Sequence, residues 1–204
     1  MRILGLTGDI AAGKSTVARL LESRGAVLLD SDALVHELYS DPAFAAKVAA
    51  LFQEPVLAGD GSVDRRKLGA VVFQDADGLA CLEALVHPAV FALRSRRVAE
   101  LGARPQPPPA VVLEAVKLLE SGGGAGCDEI WCVVSNPEVA MERMINNRHL
   151  TRAQALERLA AQPRREAKLE LAGSVPLVWI ENNSSGAELE AAVGREWKRF
   201  LAKP

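Results

Sequence analysis

The sequence feature that most constrains this chain is an eight-residue pattern near its start, which matches G-x-x-x-x-G-K-[ST]. Its residues, called the phosphate loop below, are Gly8, Asp9, Ile10, Ala11, Ala12, Gly13, Lys14 and Ser15, with Thr16 following. An apolar run from Arg2 to Thr7 precedes the loop and a helical pattern from Lys14 to Arg24 follows it, which predicts a turn between a buried strand and a helix. Glycines in such a turn let backbone N–H groups converge on one point, and the helix dipole adds to their attraction for phosphate.

Chance does not explain this pattern, because the chain's own composition gives roughly 0.003 occurrences per chain. A loop of this kind binds a nucleoside triphosphate: Lys14 reaches the β- and γ-phosphates and Ser15 ligates Mg²⁺. We therefore predict that residues 8–16 bind the phosphates of ATP and that Mg²⁺ is the metal. The alternative, a tight turn without a ligand, leaves Gly-Lys-Ser at a helix start poorly explained by packing.

Five short apolar runs alternate with helical patterns along the chain, at residues 2–7, 26–29, 110–113, 129–134 and 177–180. Several are apolar on both faces, which favours a parallel sheet covered by helices on both sides. We predict a single α/β domain of the P-loop kinase type with a five-stranded parallel sheet. Its core comprises about residues 1–40, 103–147 and 172–204, beside a helical acceptor-side region at about 41–102 and a helical lid at about 148–171. Within the acceptor-side region, the pattern from Asp64 to Leu101 is helical with breaks at Gly78 and Pro88.

Composition narrows the class of protein further. The chain has 204 residues, a net charge of −2 and three cysteines, which argues against a nucleic-acid binder and against a disulfide framework. The best apolar run, Ala110 to Leu119, is short and interrupted by charge, so we expect no membrane contact. We expect a cytoplasmic protein that is a monomer or a weak oligomer.

The residues 148–171, called the lid segment below, are strongly basic. Six basic residues face three acidic ones: Arg148, Arg152, Arg158, Arg164, Arg165 and Lys168 against Glu157, Glu166 and Glu170. A solvated helical face has this composition too, but a mobile lid of arginines over phosphates explains the sign imbalance better. No Asn-Lys-x-Asp guanine-reading motif occurs, so a small-molecule kinase is favoured over a GTPase.

Three further segments accompany the phosphate loop. Residues 28–32 read Leu-Leu-Asp-Ser-Asp, residues 60–65 read Asp-Gly-Ser-Val-Asp-Arg, and residues 82–88 read Leu-Glu-Ala-Leu-Val-His-Pro. Together with the block from Gly5 to Thr16, they resemble the dephospho-coenzyme A (dephospho-CoA) kinase family, whose patterns include G-L-T-G-x-I-x-x-G-K-S-T, D-G-x-x-x-R and L-E-x-x-x-H-P. The resemblance extends from Arg2 to about Lys168. It implies an enzyme that phosphorylates the ribose 3′-hydroxyl of dephospho-CoA with ATP, the last step of CoA synthesis.

The resemblance also implies roles for acceptor-side residues. Asp32 stands where the family has its catalytic base, although a helix N-cap would equally suit an aspartate there. Asp30 would orient Asp32 or a metal-bound water. Arg65 corresponds to a substrate-side arginine that suits a phosphate or pyrophosphate, with a solvated arginine as the alternative. His87 is a candidate for a hydrogen bond to the acceptor, although a histidine before a proline in a helix is more often structural.

On the donor side, Glu114 ends the third apolar run, where P-loop kinases often hold Mg²⁺ through water; a strand-end residue facing solvent is the alternative. Arg143 and Arg148 are the candidates for clamping the ATP phosphates and stabilising the transferred charge. Asn182 lies in a segment that resembles the family's nucleotide-binding loop. Two departures from the family occur, at Val116-Lys117 and at Asn147, and they bear on the acceptor pocket and on the start of the lid.

Two other functions stay open on the residues alone. One is a kinase for another nucleoside or nucleotide hydroxyl, for which the 60–65 and 82–88 segments have no evident purpose. The other is a nucleotide-binding switch or scaffold without an acceptor, in which Asp32 and Arg65 are dispensable.

Overall fold

The computed structural model of the chain describes residues 1–53, 55–73 and 75–203. Strands and helices alternate through most of that part of the chain. The strands are β1 (Arg2–Gly8), β2 (Val27–Asp30), β3 (Ala110–Glu114), β4 (Glu129–Val134) and β5 (Leu177–Glu181). The helices are α1 (Lys14–Glu22), α2 (Ser31–Ser40), α3 (Pro42–Ala49), α4 (Arg65–Val72), α5 (Ala76–Gly102), α6 (Pro137–Arg148), α7 (Arg152–Ala160), α8 (Arg165–Ala172) and α9 (Gly186–Ala202).

The five strands form one sheet in the order β2-β3-β1-β4-β5, with β1 at its centre. β1 pairs in parallel with β3 and β4, and β4 pairs in parallel with β5. The predicted five-stranded parallel sheet is therefore confirmed. Because parallel strands end at the same edge, the last residues of β1, β3 and β4 meet there, and ligands bind at this edge in folds of this type.

The chain divides into two compact units, of which the first comprises Met1–Leu29 and Gly102–Pro204. Its core lies on the central strands, whose side chains are buried on both faces, and includes Leu4, Leu6, Val112 and Trp131. Helix α9 adds a stripe of four side chains at helical spacing: Leu189, Val193, Trp197 and Phe200. That stripe explains why the last helix of the chain packs on the sheet.

A fully buried carboxylate at the start of β4 also ties α9 to the sheet. Glu129 has no exposed surface, and it accepts hydrogen bonds from Trp131 Nε1 at 2.7 Å and from the side chains of Arg199 and Lys203. Burial raises the pKa of Glu129, but these donors outweigh it and hold the pKa below the usual glutamate value. The carboxylate is therefore stable in its charged form.

The second unit, Asp30–Leu101, is helical. Its own core is formed by α2, α3, α4 and α5 with the intervening loop, and includes Tyr39, Val48, Leu68, Leu82 and Val86. An antiparallel bridge between Leu57 and Val63 closes the Gly59-Asp60-Gly61 turn, in which Gly61 has a positive φ of 86°.

Helix α5 differs from the sequence prediction. The breaks expected at Gly78 and Pro88 are wrong, since α5 runs through both for 27 residues. A proline inside a helix removes one backbone hydrogen bond and crowds the preceding turn, but Leu82, Val86 and Leu93 lie on both sides of Pro88 and are buried. Packing outside the local sequence thus overrides the proline.

The length of α5 has one more consequence. Among the described residues, α5 is one helix that is both long enough and apolar enough to cross a membrane. Its best 18-residue window has a mean hydropathy of 1.4. The segment that meets these two criteria is therefore α5 and not Ala110 to Leu119, which the sequence analysis names as the best apolar run. Length and composition alone are a weak indication of a membrane span.

The lid segment, for which the sequence predicts helix, contains two separate helices, α7 and α8. His149 takes a left-handed conformation, with φ of 53°, and ends α6. Helix α7 then begins at a capping box formed by Thr151 and Gln154, and residues 161–164, which include Pro163, separate it from α8. The left-handed cap and the proline account for the two interruptions.

Candidate functional site

The phosphate loop connects β1 to α1 and offers a set of free backbone donors. The N–H of Asp9 donates to Val133 O at 2.9 Å, that of Ile10 to Gln162 Oε1 at 2.6 Å, and that of Ala12 to Asp9 O at 3.1 Å. The N–H groups of Ala11, Gly13, Lys14 and Ser15 donate to no group in the described residues. Free N–H groups at the start of a helix form a binding site for a phosphate.

Two glycines are required by the packing of this loop. Gly13 has φ of 98°, and a Cβ there would lie 2.3 Å from Asn182 Nδ2. A Cβ on Gly8 would lie 2.7 Å from Val133 O. Real Cβ atoms essentially never come within 3.0 Å of another heavy atom, and Gly13 also has a positive φ, so both positions favour glycine.

Lys14 and Glu114 form an ion pair at the carboxyl edge of the sheet. Lys14 is the first residue of α1 and Glu114 is the last residue of β3, with 7% of its surface exposed. A buried carboxylate needs a charged partner, and Lys14 supplies it. Ser15 is exposed and follows Lys14 on the same helix turn, so the pair brings a cation, a hydroxyl and a carboxylate to one place.

The side chains of Arg143 and Asn182 donate hydrogen bonds to backbone carbonyl groups of the phosphate loop. The Arg143 guanidinium donates to Ala11 O at 3.3 Å and to Asn182 O at 3.1 Å. Asn182 is 6% exposed and donates from Nδ2 to Ala12 O at 2.7 Å. Both side chains thus contact the loop's carbonyl groups, and their predicted contact with nucleotide stays a prediction.

A cavity of about 950 Å³ opens beside the loop. This volume is in the range of sites for cofactor-sized ligands. Its basic lining includes Lys14, Arg143, Arg148, Arg158 and Lys168, against two acidic side chains, Asp9 and Glu120. The excess of positive charge suits a polyphosphate.

The buried thiol of Cys132 also lines this cavity. Burial raises its pKa to about 12, so the thiol is neutral at physiological pH. Only the thiolate is a strong nucleophile, and Cys132 therefore contributes packing and not reactivity to the cavity wall.

The lid segment contacts the phosphate loop through two residues to which the sequence analysis assigns no role. Gln162 accepts the Ile10 N–H, and Lys168, which is 7% exposed, forms an ion pair with Asp9. The basic character of residues 148–171 is a signal for contact with phosphates. No local signal pairs Lys168 with an aspartate that lies 159 residues earlier in the chain.

The Val116-Lys117 departure from the family lies in the turn after β3. The Val116 carbonyl accepts a hydrogen bond from Thr7 Oγ1 at 3.0 Å, and both Val116 and Lys117 line the cavity. The turn is thus fixed to β1 at the height of the phosphate loop.

In the second unit, the cap of α2 distinguishes Asp30, the last residue of β2, from Asp32. Asp30 is the N-cap of α2, and its Oδ1 accepts the N–H of Asp32 at 2.8 Å. The sequence-based alternative, in which Asp32 caps this helix, is wrong because Asp30 has the extended conformation that a cap requires. The Asp32 side chain is exposed in the first turn of α2.

Arg65 begins α4 directly after its N-cap, Asp64, whose carboxylate accepts the N–H groups of Arg66 and Lys67. Arg65 is exposed, and its charge acts on Tyr39: burial raises the pKa of Tyr39, and the guanidinium opposes that rise. His87 is exposed on α5 next to Pro88. The predicted acceptor residues Asp32, Arg65 and His87 therefore all belong to the second unit.

Known proteins resemble this chain over almost its whole length. A family model described as dephospho-CoA kinase matches residues 2–188. A curated dephospho-CoA kinase of Geobacter sulfurreducens is 40% identical over 202 residues, which cover 98% of this chain and 100% of the relative. A dephospho-CoA kinase of Streptomyces avermitilis is 44% identical, with 95% and 91% of the two chains covered.

Solved structures have the same fold. A crystal structure of TT1252 from Thermus thermophilus superposes with a TM-score of 0.74 at 35% identity, covering 98% of this chain and 96% of that one. A structure of a dephospho-CoA kinase from Campylobacter jejuni has a TM-score of 0.72 at 21% identity, with 98% of each chain covered. At that identity the likeness concerns the fold alone.

Proposed function

Because this chain belongs to the dephospho-CoA kinase family, we propose that it transfers the γ-phosphoryl group of ATP to the ribose 3′-hydroxyl of dephospho-CoA. The products are CoA and ADP, and the reaction is the last step of CoA synthesis. The observation that carries this proposal is the family match over residues 2–188, which spans the phosphate loop, the 60–65 segment and the lid segment. We place the reaction in the cytoplasm, where ATP and its acceptor are dissolved.

On the donor side, the free N–H groups of the phosphate loop bind the β- and γ-phosphate oxygens. Lys14 turns from Glu114 toward these oxygens and neutralises part of the charge that develops on the leaving ADP. Asn182 and Arg143 keep the loop's carbonyls engaged, so that the N–H side faces the cavity. In this proposal Arg148 and the far side of the Arg143 guanidinium stabilise the transferring phosphoryl group.

Mg²⁺ fits the residues present at this edge of the sheet. Ser15 would provide a hydroxyl oxygen and Glu114 a carboxylate that would hold the ion through water, and both are the hard oxygen ligands that Mg²⁺ prefers. When bound, the ion neutralises charge on the β- and γ-phosphates. Lys14 fits such a site as well, because it pairs with the Glu114 carboxylate.

On the acceptor side, Asp32 is the general base. Its carboxylate takes the proton of the 3′-hydroxyl as that oxygen forms a bond to the γ-phosphorus. The bond between the γ-phosphorus and the β,γ-bridging oxygen breaks, and the electron pair leaves with ADP. Since Asp30 caps α2, the Asp32 side chain is available for this task. Arg65 binds a phosphate group of the acceptor, and His87 donates a hydrogen bond to it.

The proposal is tested by ADP release from the purified protein with ATP, Mg²⁺ and dephospho-CoA, with the product identified by mass. We expect ADP release that depends on the acceptor and a product heavier by one phosphoryl group. Adenosine and AMP serve as alternative acceptors in parallel reactions. Release of ADP with one of these and not with dephospho-CoA would refute the assigned acceptor. ATP binding without release of ADP to any acceptor would instead favour a nucleotide-binding switch.

A further inference from the structure

One side chain of the lid segment makes a direct hydrogen bond to the backbone of the phosphate loop. Gln162 Oε1 accepts the Ile10 N–H at 2.6 Å. Gln162 lies between α7 and α8, 152 residues from Ile10 in the chain. A side-chain acceptor from a distant segment at a loop that must bind phosphate calls for a physical explanation.

The bond does not use any of the N–H groups left for phosphate. Four N–H groups of the loop have no partner among the described residues: those of Ala11, Gly13, Lys14 and Ser15. The N–H of Ile10, in contrast, is bonded to Gln162. Gln162 therefore leaves the second half of the loop open and holds the first half. This division favours a supporting role for Gln162 over a blocking one.

The loop needs support at this point because of its backbone. Ala11, the residue after Ile10, has φ of 57°, in the left-handed region that is strained for a residue with a Cβ. A strained residue keeps such a conformation only when its surroundings determine it. Three sets of contacts surround Ala11. The Arg143 guanidinium donates to its carbonyl, and Ile10 and Ala11 make apolar contacts with α6 and α7. The third is the hydrogen bond from Ile10 to Gln162.

A second contact fixes the same end of the loop to the lid segment. The buried Lys168 side chain on α8 pairs with Asp9, directly before Ile10. This pair also neutralises a carboxylate that would otherwise repel a phosphate in the cavity. The lid segment thus contacts two consecutive residues of the loop, one through a backbone donor and one through charge.

We propose that Gln162 is a positioning residue for ATP. Its amide oxygen keeps Ile10 and Ala11 in the conformation that directs the loop's free N–H groups into the cavity. The inference rests on the proposed function only in that the loop binds the phosphates of ATP. Without this bond, a fraction of the molecules leaves the left-handed conformation at Ala11. The apparent affinity for ATP falls in proportion to the competent fraction that remains.

The test uses Gln162→Met, which keeps the length of an unbranched side chain and removes the acceptor. Titration calorimetry without acceptor measures the Kd of Mg²⁺-ATP and of adenosine, which has no phosphate. We expect the Kd of ATP to rise about tenfold, as the loss of one partly buried hydrogen bond to a backbone N–H predicts, and that of adenosine to change less than twofold. Gln106→Met, in the exposed proline-rich connection before β3, is the matched control and should bind both ligands as the wild type does.

Rescue separates strain at Ala11 from a general loss of structure. In Gln162→Met/Ala11→Gly, glycine adopts the positive φ without strain, and the Kd of ATP should return to within about threefold of the wild-type value. In the kinase assay, Gln162→Met should raise the KM of ATP and keep kcat at saturating ATP within about threefold. The melting temperature of each variant shows whether it is folded.

Four results would overturn the inference: unchanged ATP binding in Gln162→Met, tighter ATP binding, equal losses for ATP and adenosine, or no rescue by Ala11→Gly. Tighter binding would mean that Gln162 blocks the site, and equal losses that it supports the fold only. A failure of the proposed function is distinguishable from these results. If the proposed function is wrong, the wild type itself forms no CoA. The order of ATP affinities among the variants would still decide the role of Gln162.

Discussion

Three cationic side chains at the phosphate loop have partners, whereas the side chains that we assign to the acceptor have no hydrogen-bond or ion-pair partner within the described residues. Lys14 pairs with Glu114, Lys168 with Asp9, and Arg143 with the loop's carbonyls. In the second unit, the side chains of Asp32, Arg65 and His87 make neither a hydrogen bond nor an ion pair within the described part of the chain, and all three are exposed.

The difference concerns what each region does before its ligand arrives. At the phosphate loop, Lys14, Lys168 and Arg143 are already oriented by carboxylates and carbonyls, so this part of the site is largely preorganised for a triphosphate. The acceptor residues are exposed and have no such partners, so we expect binding of the acceptor to order their side chains. Substitutions in the first region should therefore disturb binding and the local structure together, and substitutions in the second should change turnover or acceptor affinity alone.

The largest effect is expected from Lys14→Ala. The variant loses the cation that contacts the transferring phosphates, and it leaves the Glu114 carboxylate buried without a partner beside them. We expect kcat/KM for ATP to fall about 10⁴-fold, measured by coupled ADP release. Lys47→Ala, on an exposed position of α3, is the control. Lys14→Ala should also be less stable than the wild type, because Glu114 is left without its partner. In Lys14→Ala/Glu114→Gln this stability should return while the activity stays low. Full activity in either variant would disprove the phosphate-binding role of Lys14.

Asp32→Asn should have the next largest effect and a different profile. The amide keeps the shape of the carboxylate but does not accept a proton, so kcat should fall about 10³-fold with the Kd of ATP unchanged. Stability should also be unchanged, because the cap of α2 is Asp30. Asp77→Asn, exposed in the first turn of α5, controls for the loss of a surface charge. A variant with wild-type kcat would remove Asp32 from the mechanism.

The same contrast explains what the sequence predicts well. Glycines, a lysine and a serine at fixed spacing after an apolar strand specify the phosphate loop locally, and apolar runs such as Glu129–Val134 specify central strands because both of their faces are buried. These features depend on neighbours in the sequence. They allowed the parallel sheet and the family to be predicted from the chain alone.

What the sequence does not predict depends on contacts between distant residues. Helix α5 continues through Pro88 because of side chains that pack in the second unit's core. The bonds of Gln162 and Lys168 to the phosphate loop join residues more than 150 positions apart. An exposed aspartate such as Asp32 has no pattern of its own, and its role comes from the family resemblance and stays a prediction.

A third prediction concerns the buried Glu129 carboxylate, which joins β4 to α9 in the first unit. Glu129→Gln removes the charge that holds Arg199 and Lys203, and we expect it to lower the free energy of unfolding by about 3 kcal/mol at pH 7. The pKa of Glu129 is lowered in the folded protein. Its stabilisation is therefore complete above the unfolded-state pKa of about 4.3 and decreases as the pH falls through the lower folded-state value.

Urea unfolding of the wild type and Glu129→Gln from pH 7 to pH 3 measures this difference. The gap between the two should be constant at neutral pH and narrow below about pH 4. Glu190→Gln, which removes an exposed partner of Arg24, should cost less than about 0.5 kcal/mol at any pH. A gap that widens on acidification would show that the buried carboxylate is not stabilised in its charged form.

The smallest effect is expected from Arg65→Lys, which tests the acceptor side with its charge retained. A lysine keeps one positive charge but loses the planar fork that contacts two phosphate oxygens at once. We expect the KM of dephospho-CoA to rise about tenfold, with the KM of ATP and the melting temperature unchanged. Arg66→Lys, the exposed neighbour on α4, is the matched control and should leave all three values unchanged. A rise in the KM of ATP in Arg65→Lys would place this side chain on the donor side, and a drop in melting temperature would mean that Arg65 is ordered by the protein rather than by the acceptor.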